Sequence, residues 1–333
     1  MYNQTEAVLT QYELEIRQIT RGRGAYICDT SQGTRLLMSF CGSKERGELV
    51  KAYLLQLKEQ GFDVEQIYQN QLSEAVTEDA MTGECFILKD YVEGTELNTT
   101  SIQEIAEGAR LLAIYHRAAS QVSKTFVKEW KLEPKSVASV FERHYKELVK
   151  VKNFIRAKKK KTEFERVYME HYEQMRQIAE RSIQILIKQE EQSPRCLICH
   201  GDYNQHNILN QKGIWKIVHF EGMTYTWAMC DLANYLRKML EKNAWDITVG
   251  RTIIDAYNII WGLDKEEYAQ LYALLLFPEK FWKVTNHYMN SNKAWISERE
   301  IEKLKKAIEL EPKRLKFTEN LFSFVEESCI LKT

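Results

Sequence analysis

The hydrophobic pattern of the chain changes at Glu93-Gly94, and this change limits the folds that the sequence can adopt. Before it, the β-prone runs 24–30 and 33–40, the helical segment 44–61 and the apolar run 85–92 predict a small antiparallel sheet with one helix. After it, helical periodicity continues almost to the end of the sequence. The whole pattern predicts an α+β chain with a small sheet first and a larger helical part second.

The helical part is interrupted by two apolar strands, 195–199 and 214–220, which predict a hairpin. The loop between them reads HGDYNQHN and matches the spacing H-x-D-x-x-x-x-N. Such a loop offers a carboxylate near an acceptor hydroxyl, Asp202, and an amide oxygen for Mg²⁺, Asn207, as phosphoryl transfer requires. We expect His200 to brace the loop, and the motif predicts a phosphoryl-transfer site.

Composition excludes several other classes of function. Lys and Arg number 47, and Asp and Glu number 47, so there is no bulk charge to attract nucleic acid or an anionic membrane. The N-terminus lacks an apolar core with basic flanks, and no apolar run approaches the roughly 20 residues of a membrane helix. Seven cysteines, mostly isolated, favour a reducing compartment. We therefore expect a soluble protein without an export signal.

The loop also carries a resemblance to a known family. HGDYNQHN, a following strand, a short acidic triplet and then Asp231-Leu-Ala-Asn-Tyr-Leu-Arg-Lys resemble the aminoglycoside phosphotransferase and choline kinase superfamily. Four further segments extend the resemblance over nearly all 333 residues to the CotS family of bacterial spore coat proteins. These segments are QITRGRGAYICDT, FILKDYVEGTEL, YLRKMLEKNAWD and LLLFPEKFWKVTNHYMNSNKAW (274–295).

The resemblance implies a two-lobed protein kinase-like fold. Its small antiparallel-sheet N-lobe would comprise residues 1–93, and its larger helical C-lobe would comprise residues 94–333 with the catalytic-loop hairpin at 195–221. It also implies that Asp231 is a structural carboxylate that accepts hydrogen bonds from the catalytic loop. A buried carboxylate at such a position must be satisfied by hydrogen bonds.

Residue by residue, the sequence departs from the kinase pattern on its third strand. Met38 stands where the family has a phosphate-binding lysine, and a thioether cannot bind phosphate. Glu48 is the expected helix partner of that lysine, with Glu45 as the alternative. We expect Lys89 and Tyr91, at the connector between the lobes, to lie in the nucleotide cleft.

A second departure affects the metal site. His219 stands where the family has its metal-binding aspartate, although Mg²⁺ prefers oxygen ligands to imidazole. Glu221 shares a strand face with His219 if the strand continues, so Asn207, His219 and Glu221 form the candidate metal set.

These departures favour a catalytically degenerate spore coat protein that acts in coat assembly or binding. The alternatives are an active ATP-dependent phosphotransferase for a sugar, aminoglycoside-like or choline-like hydroxyl, and a nucleotide-binding protein without turnover. We expect other coat proteins as partners, neither nucleic acid nor membrane, and a small-molecule ligand in the alternative functions. ATP and Mg²⁺ are expected as cofactors only if nucleotide binding is retained. Synthesis in the cytoplasm of the sporulating cell and assembly into the coat are implied.

Overall fold

The computed structural model describes residues 2–291 and 298–330, with side chains for 5–291 and 298–321. Positions 292–295 of the family-like segment 274–295 and the side chain of Cys329 therefore lie outside the described residues. The helices are α1 Tyr2–Leu9, α2 Lys44–Glu59, α3 Ile102–Glu129, α4 Val137–Ala157, α5 Glu163–Glu190, α6 Met229–Lys242, α7 Ile247–Trp261, α8 Lys265–Leu276, α9 Glu279–Asn290 and α10 Glu298–Ile330. The strands are β1 Ile16–Arg21, β2 Ala25–Thr30, β3 Gly33–Ser39, β4 Ile67–Tyr68, β5 Thr77–Glu78, β6 Cys85–Asp90, β7 Thr95–Glu96, β8 Cys196–Cys199, β9 Ile208–Gln211, β10 Ile214–Ile217 and β11 Thr224–Trp227.

Internal contacts divide the chain into two compact units. The sheet unit consists of residues up to 98, 111–133 and 198–225, and the helical unit consists of 99–110, 134–197 and 226 onwards. The candidate loop at 200–207 thus belongs to the sheet unit. The division at residue 93 stays a prediction.

The main sheet is antiparallel, with strand order β1-β2-β3-β6-β4, and β5 also pairs with β6. Local chemistry explains its hairpin and helix. The β2–β3 turn uses Gly33 at φ +99°, and the Thr30 hydroxyl accepts from the Gln32 backbone. Helix α2 begins where the Ser43 side chain accepts from the Arg46 backbone N–H, and the chain leaves it through Gly61 at φ +80°. The predicted hairpin and helix are confirmed.

The prediction for the strand at 214–220 is wrong in two respects, because the strand ends earlier than predicted and pairs with a different strand. Strand β10 ends at Ile217 and pairs with β9, and β7 pairs with β9 on its other side. A turn at Lys212-Gly213 closes this hairpin, because both residues have positive φ and Gly213 donates to the Asn210 side chain at 2.7 Å. Strand β8 pairs instead with β11, which the sequence pattern did not reveal.

The helical unit packs its long helices around aromatic residues and a few buried polar bonds. The Tyr168 ring of α5 stacks on Phe281 of α9 at a centroid distance of 5.2 Å, and its hydroxyl donates to the Leu148 carbonyl. The Ser182 hydroxyl donates to the Ala273 carbonyl of α8. Helix α5 begins with a complete capping box of Thr162 and Glu165. Asp231, in the first turn of α6, is only 1% exposed, and its bonding to the catalytic loop stays a prediction.

Candidate active site

The loop after β8 is held by its own side chains. The His200 ring accepts from the Asp202 backbone N–H through Nδ1 and bonds the Val218 carbonyl through Nε2 at 2.9 Å. The Asn207 amide donates to the Asp202 carbonyl at 2.8 Å and lies 3.4 Å from its carboxylate. Gly201, at φ +83°, passes so close to Gly222 that a Cβ would lie 2.0 Å from the Gly222 carbonyl. The loop therefore presents an exposed Asp202 beside a buried Asn207.

A buried charge cluster lies in the same unit. Its centre is the Lys89 ammonium on β6, which is 2.9 Å from Glu65 Oε1 and 3.1 Å from His219 Nδ1, and which also donates to Glu221. Lys89 is 0% exposed, and the side chain of Glu65 is 2% exposed. We call Glu65, Lys89, His219 and Glu221 the Lys89 cluster.

The fold explains why these residues meet. A parallel bridge between Val64 and Ile217 places Glu65 beside the chain that leaves β10. There His219 adopts a left-handed conformation, φ 69° and ψ 57°, and a 3-10 turn follows at Phe220–Gly222. Glu65 Oε1 accepts from the backbone N–H groups of His219 and Phe220, at 2.8 and 3.3 Å, and so caps this turn.

This geometry corrects the expectation that His219 and Glu221 share a strand face. Strand β10 ends at Ile217, before His219. Glu221 lies in the 3-10 turn that follows His219, so the strand alternation on which the expectation rested does not apply to these two residues. Arg46 of α2 stabilises the turn by donating to the Glu221 carbonyl at 3.2 Å and to the Met223 carbonyl. Both His219 and Glu221 nevertheless face Lys89, with 3.8 Å between His219 Nδ1 and Glu221 Oε2.

Burial and the ammonium together set the protonation of the cluster. Burial, and after it the neighbouring Lys89 charge, lowers the pKa of His219 to about 4, so the ring is neutral near pH 7. Burial disfavours the charged form of Lys89, but Glu65 and Glu221 outweigh it and raise the Lys89 pKa. Burial likewise opposes ionisation of Glu221, yet Lys89 leaves its pKa below the ordinary value. Burial raises the pKa of Glu65 against the effect of the same lysine.

These contacts leave no fitting Mg²⁺ site in the predicted set. An ammonium only donates, so His219 Nδ1 must accept from it, and the neutral ring then carries its proton on Nε2. Neither ring nitrogen has a lone pair left for a metal. Glu221 is already paired with Lys89, whose positive charge also repels a cation. Of the three predicted ligands, Asn207 keeps its amide oxygen and Glu221 keeps Oε2 without a hydrogen bond to a described residue. The Lys89 ammonium holds the Glu221 carboxylate, however, so the set does not offer Mg²⁺ the unopposed oxygen ligands that it prefers.

A cleft of about 480 Å³ borders the loop and the cluster, wholly within the sheet unit. Asp202, Asn207, His219 and Tyr91 line it, as does Glu65. The remaining lining residues are Gly22, Arg23, Ala25, Ile27, Leu36, Asp90, Val92, Gly94, Glu96, Asn204, His206, Leu209 and Val218.

Two predicted cofactor-binding residues lie away from this lining. Met38 packs against the apolar cluster of Phe40, Val76 and Ile87. Glu48 accepts from the Ala75 backbone N–H at 2.6 Å and pairs with Lys51 at 2.7 Å. The structure therefore does not bring the Met38 and Glu48 side chains to the cleft. Lys89 does not line the cleft itself, but it contacts Glu65 and His219, which do.

Sequence reasoning missed four residues that line the cleft, namely Glu65, Arg23, Glu96 and His206. Arg23 lies 3.7 Å from Glu96, and His206 Nδ1 lies 2.6 Å from Glu96 and 3.2 Å from Arg23. One ring nitrogen cannot both donate to Glu96 and accept from Arg23, so the shorter contact assigns the proton to Nδ1. Arg23 lies between two glycines, and this pattern was a sequence signal for a cleft residue. The sequence around Glu65 contains no comparable signal.

Comparison with known proteins places this geometry in a family. A family model described as "Spore coat putative kinase YutH" matches residues 5–321. The chain belongs to this family. The family model covers both the loop and the Lys89 cluster, and the expected resemblance to spore coat proteins is confirmed. No curated protein matches the sequence.

Solved structures show the same fold. An aminoglycoside phosphotransferase from Alicyclobacillus acidocaldarius has a TM-score of 0.79 at 19% identity, over 97% of this chain and 96% of that one. An amicoumacin kinase has a TM-score of 0.65 at 14% identity, over 93% and 92%. A microcompartment-associated aminopropanol kinase has 0.64 at 13%, over 98% of both chains. The α+β kinase-like fold is confirmed. Within residues 2–291 and 298–330, no helix is long and apolar enough to cross a membrane.

Proposed function

We propose that this member of the spore coat kinase family is catalytically degenerate and acts in the spore coat, in assembly or binding. The observation that carries the proposal is Lys89, which donates to His219 and Glu221, two of the three positions expected to hold the metal. Met38 adds a second deficiency, because it is packed in an apolar cluster and supplies no cation for phosphate.

The size of the defect supports this function. Loss of one preorganised electrostatic group costs on the order of 3–4 kcal/mol of transition-state stabilisation, or roughly 10²–10³ in rate. Two such losses, if additive, would lower a kinase rate of about 1–100 per second by about 10⁴–10⁶. The lowered rate, about 10⁻⁶–10⁻² per second, favours a role that does not depend on turnover.

The direct test is transfer of the γ-phosphoryl group from ATP. Purified full-length protein is incubated with ATP, Mg²⁺ or Mn²⁺, and a panel of aminoglycosides, choline, ethanolamine and aminopropanol. We expect no product above background, and Asp202→Ala is the matched control that must not change this result. Turnover near one per second that Asp202→Ala abolishes would contradict the proposal.

The coat role needs a separate measurement. Immunogold labelling of spore sections, with spores lacking the gene as control, should place the protein in the coat layers. Labelling confined to the mother-cell cytoplasm or the spore core would contradict a coat role without bearing on catalysis.

An active small-molecule phosphotransferase is the second candidate. It is favoured by the Asp202 carboxylate, which is exposed in the cleft beside an Asn207 oxygen that bonds no described residue. The same transfer assay decides between the two functions.

A further inference from the structure

The Lys89 ammonium has no hydrogen-bonding capacity left for a ligand. An ammonium has three N–H donors, and its three partners are Glu65, His219 and Glu221. Its side chain is 0% exposed, so a ligand phosphate would have to displace a buried carboxylate to reach it. Lys89 is therefore a fixed positive charge next to the cleft and does not serve as a phosphate clamp.

The charges that line the cleft also oppose a polyphosphate. Of the lining carboxylates, Glu65 pairs with Lys89, Asp90 with Arg35 and Glu96 with Arg23, so Asp202 is the one without a basic partner in the described part of the chain. Arg23 is the one Lys or Arg among the described lining residues. Arg23 already lies beside Glu96. A triphosphate needs its charge compensated by a metal or by free basic groups. Among the described lining residues Arg23 is already paired, and Lys89 holds two of the three predicted metal ligands.

The remainder of the cleft suits a flat, apolar molecule. Ala25, Ile27 and Leu36 line it from the main sheet, Leu209 lines it from β9, and Val218 lines it directly after β10. Apolar side chains from two separate sheets form walls that can enclose an aromatic ring.

One edge of this slot offers polar backbone groups. Tyr91 and Val92 follow β6, line the cleft and make no backbone hydrogen bond to any described residue. Their N–H and C=O groups can therefore pair with the donors and acceptors at the edge of a heterocycle.

We propose that Lys89 is a fixed internal cation at the metal position, so that the cleft binds a planar, uncharged heterocycle, such as the base of a nucleoside, without metal and discriminates against polyphosphates. The proposal rests on the proposed function, because it assumes the same loss of the metal site. It adds the class of ligand and the residue that determines its metal independence.

The test is calorimetric titration of the full-length wild-type protein with adenosine, guanosine and ATP, each in EDTA and in excess Mg²⁺. We expect at least one nucleoside to bind in EDTA with a dissociation constant that Mg²⁺ changes less than about twofold, because the cation is already present. We expect ATP to bind at least tenfold more weakly than that nucleoside under both conditions. ATP that binds tighter than the nucleoside and only with Mg²⁺, or the absence of nucleoside binding, would overturn the proposal.

Two variants locate the ligand and the cation. Ala25→Leu should narrow the slot and weaken nucleoside binding at least tenfold, whereas Ala7→Leu, at an exposed alanine of the same unit, should leave it unchanged. Lys89→Met frees His219 and Glu221, so folded variant protein should gain Mg²⁺-dependent ATP affinity of at least fivefold over wild type. Equal effects of the two alanine variants, or a folded Lys89→Met protein without Mg²⁺ dependence, would refute the assignment. If Lys89→Met does not fold, the wild-type titrations and Ala25→Leu still decide.

The outcomes separate this inference from the proposed function. Mg²⁺-dependent ATP binding without phosphoryl transfer would refute the internal-cation role and leave the degenerate coat protein in place. Phosphoryl transfer that depends on Asp202 would refute the proposed function itself.

Discussion

The substitution Lys89→Met removes the one positive charge that Glu65 and Glu221 share in the described cluster. Methionine keeps most of the side-chain length but leaves a carboxylate of 2% and one of 16% side-chain exposure without their cation. Removing one partner of a buried ion pair typically costs about 3–5 kcal/mol, because the remaining charge stays desolvated. We therefore expect Lys89→Met to lower the free energy of unfolding by about this amount at pH 7.5.

The deficit of Lys89→Met should shrink in acid. Without the ammonium, burial raises the folded-state pKa of Glu65 above the unfolded value of about 4.3. A carboxyl group with a raised folded pKa contributes stability that is present below the unfolded pKa and is lost as pH rises through the folded pKa. The difference between the variant and wild type therefore narrows as pH falls towards the unfolded value of about 4.3. His219, freed from the lysine charge, also protonates more readily there and can pair with Glu221.

Urea unfolding followed by circular dichroism at pH 7.5 and pH 5.0 measures both effects. The matched control is Lys51→Met, which breaks a partly exposed pair with Glu48 and should cost about 0.2–1 kcal/mol. Adding Glu65→Gln to Lys89→Met should recover part of the loss, because one unpaired carboxylate is removed. A Lys89→Met protein as stable as Lys51→Met, or a deficit that is the same at both pH values, would refute the reasoning.

Two further predictions concern acid stability and the loop. His219 and His144, whose pKa values are both held at about 4 chiefly by burial, are neutral in the fold but charge near pH 6.5 when unfolded. Stability should therefore fall as pH drops from about 6.5 to 4, and His144→Gln should flatten that slope in urea titrations; an unchanged slope would contradict it. Gly201→Ala should lower the melting temperature by several degrees, since it forces a left-handed alanine against the Gly222 carbonyl, whereas Gly213→Ala, with open space around its Cβ, should cost less. Equal melting temperatures would refute the strain argument.

The sequence was a good guide where the signal was local. The β2–β3 hairpin, helix α2 and the turn at Lys212-Gly213 follow from glycine positions and apolar spacing, which act over a few residues. Strand β9 was missed because ILNQ is short and half polar. The continuation of β10 through His219 was predicted wrongly, because no glycine marks the left-handed residue at which the strand has already ended.

The Lys89 cluster shows why the site could be predicted only in part. A lysine inside the apolar run CFILKDYV indicates a buried cation that needs partners, and Glu221 was already a candidate. Glu65, however, lies in a connection before a two-residue strand, and its position depends on the bridge from Val64 to Ile217. Such a long-range contact leaves no periodicity in a single sequence.

The retained catalytic loop does not by itself argue for catalysis. The Asn207 amide donates to the Asp202 carbonyl, its backbone N–H bonds Asn204, and its carbonyl accepts from Val218. His200 likewise joins the loop to Val218. These residues hold the loop in place, so a protein without activity would still need them.

The Asp202 carboxylate is different, because its one described hydrogen-bond contact is the 3.4 Å approach of Asn207. Its retention therefore has no structural reason in the described residues, and it is the side chain on which the degenerate and active functions make opposite predictions.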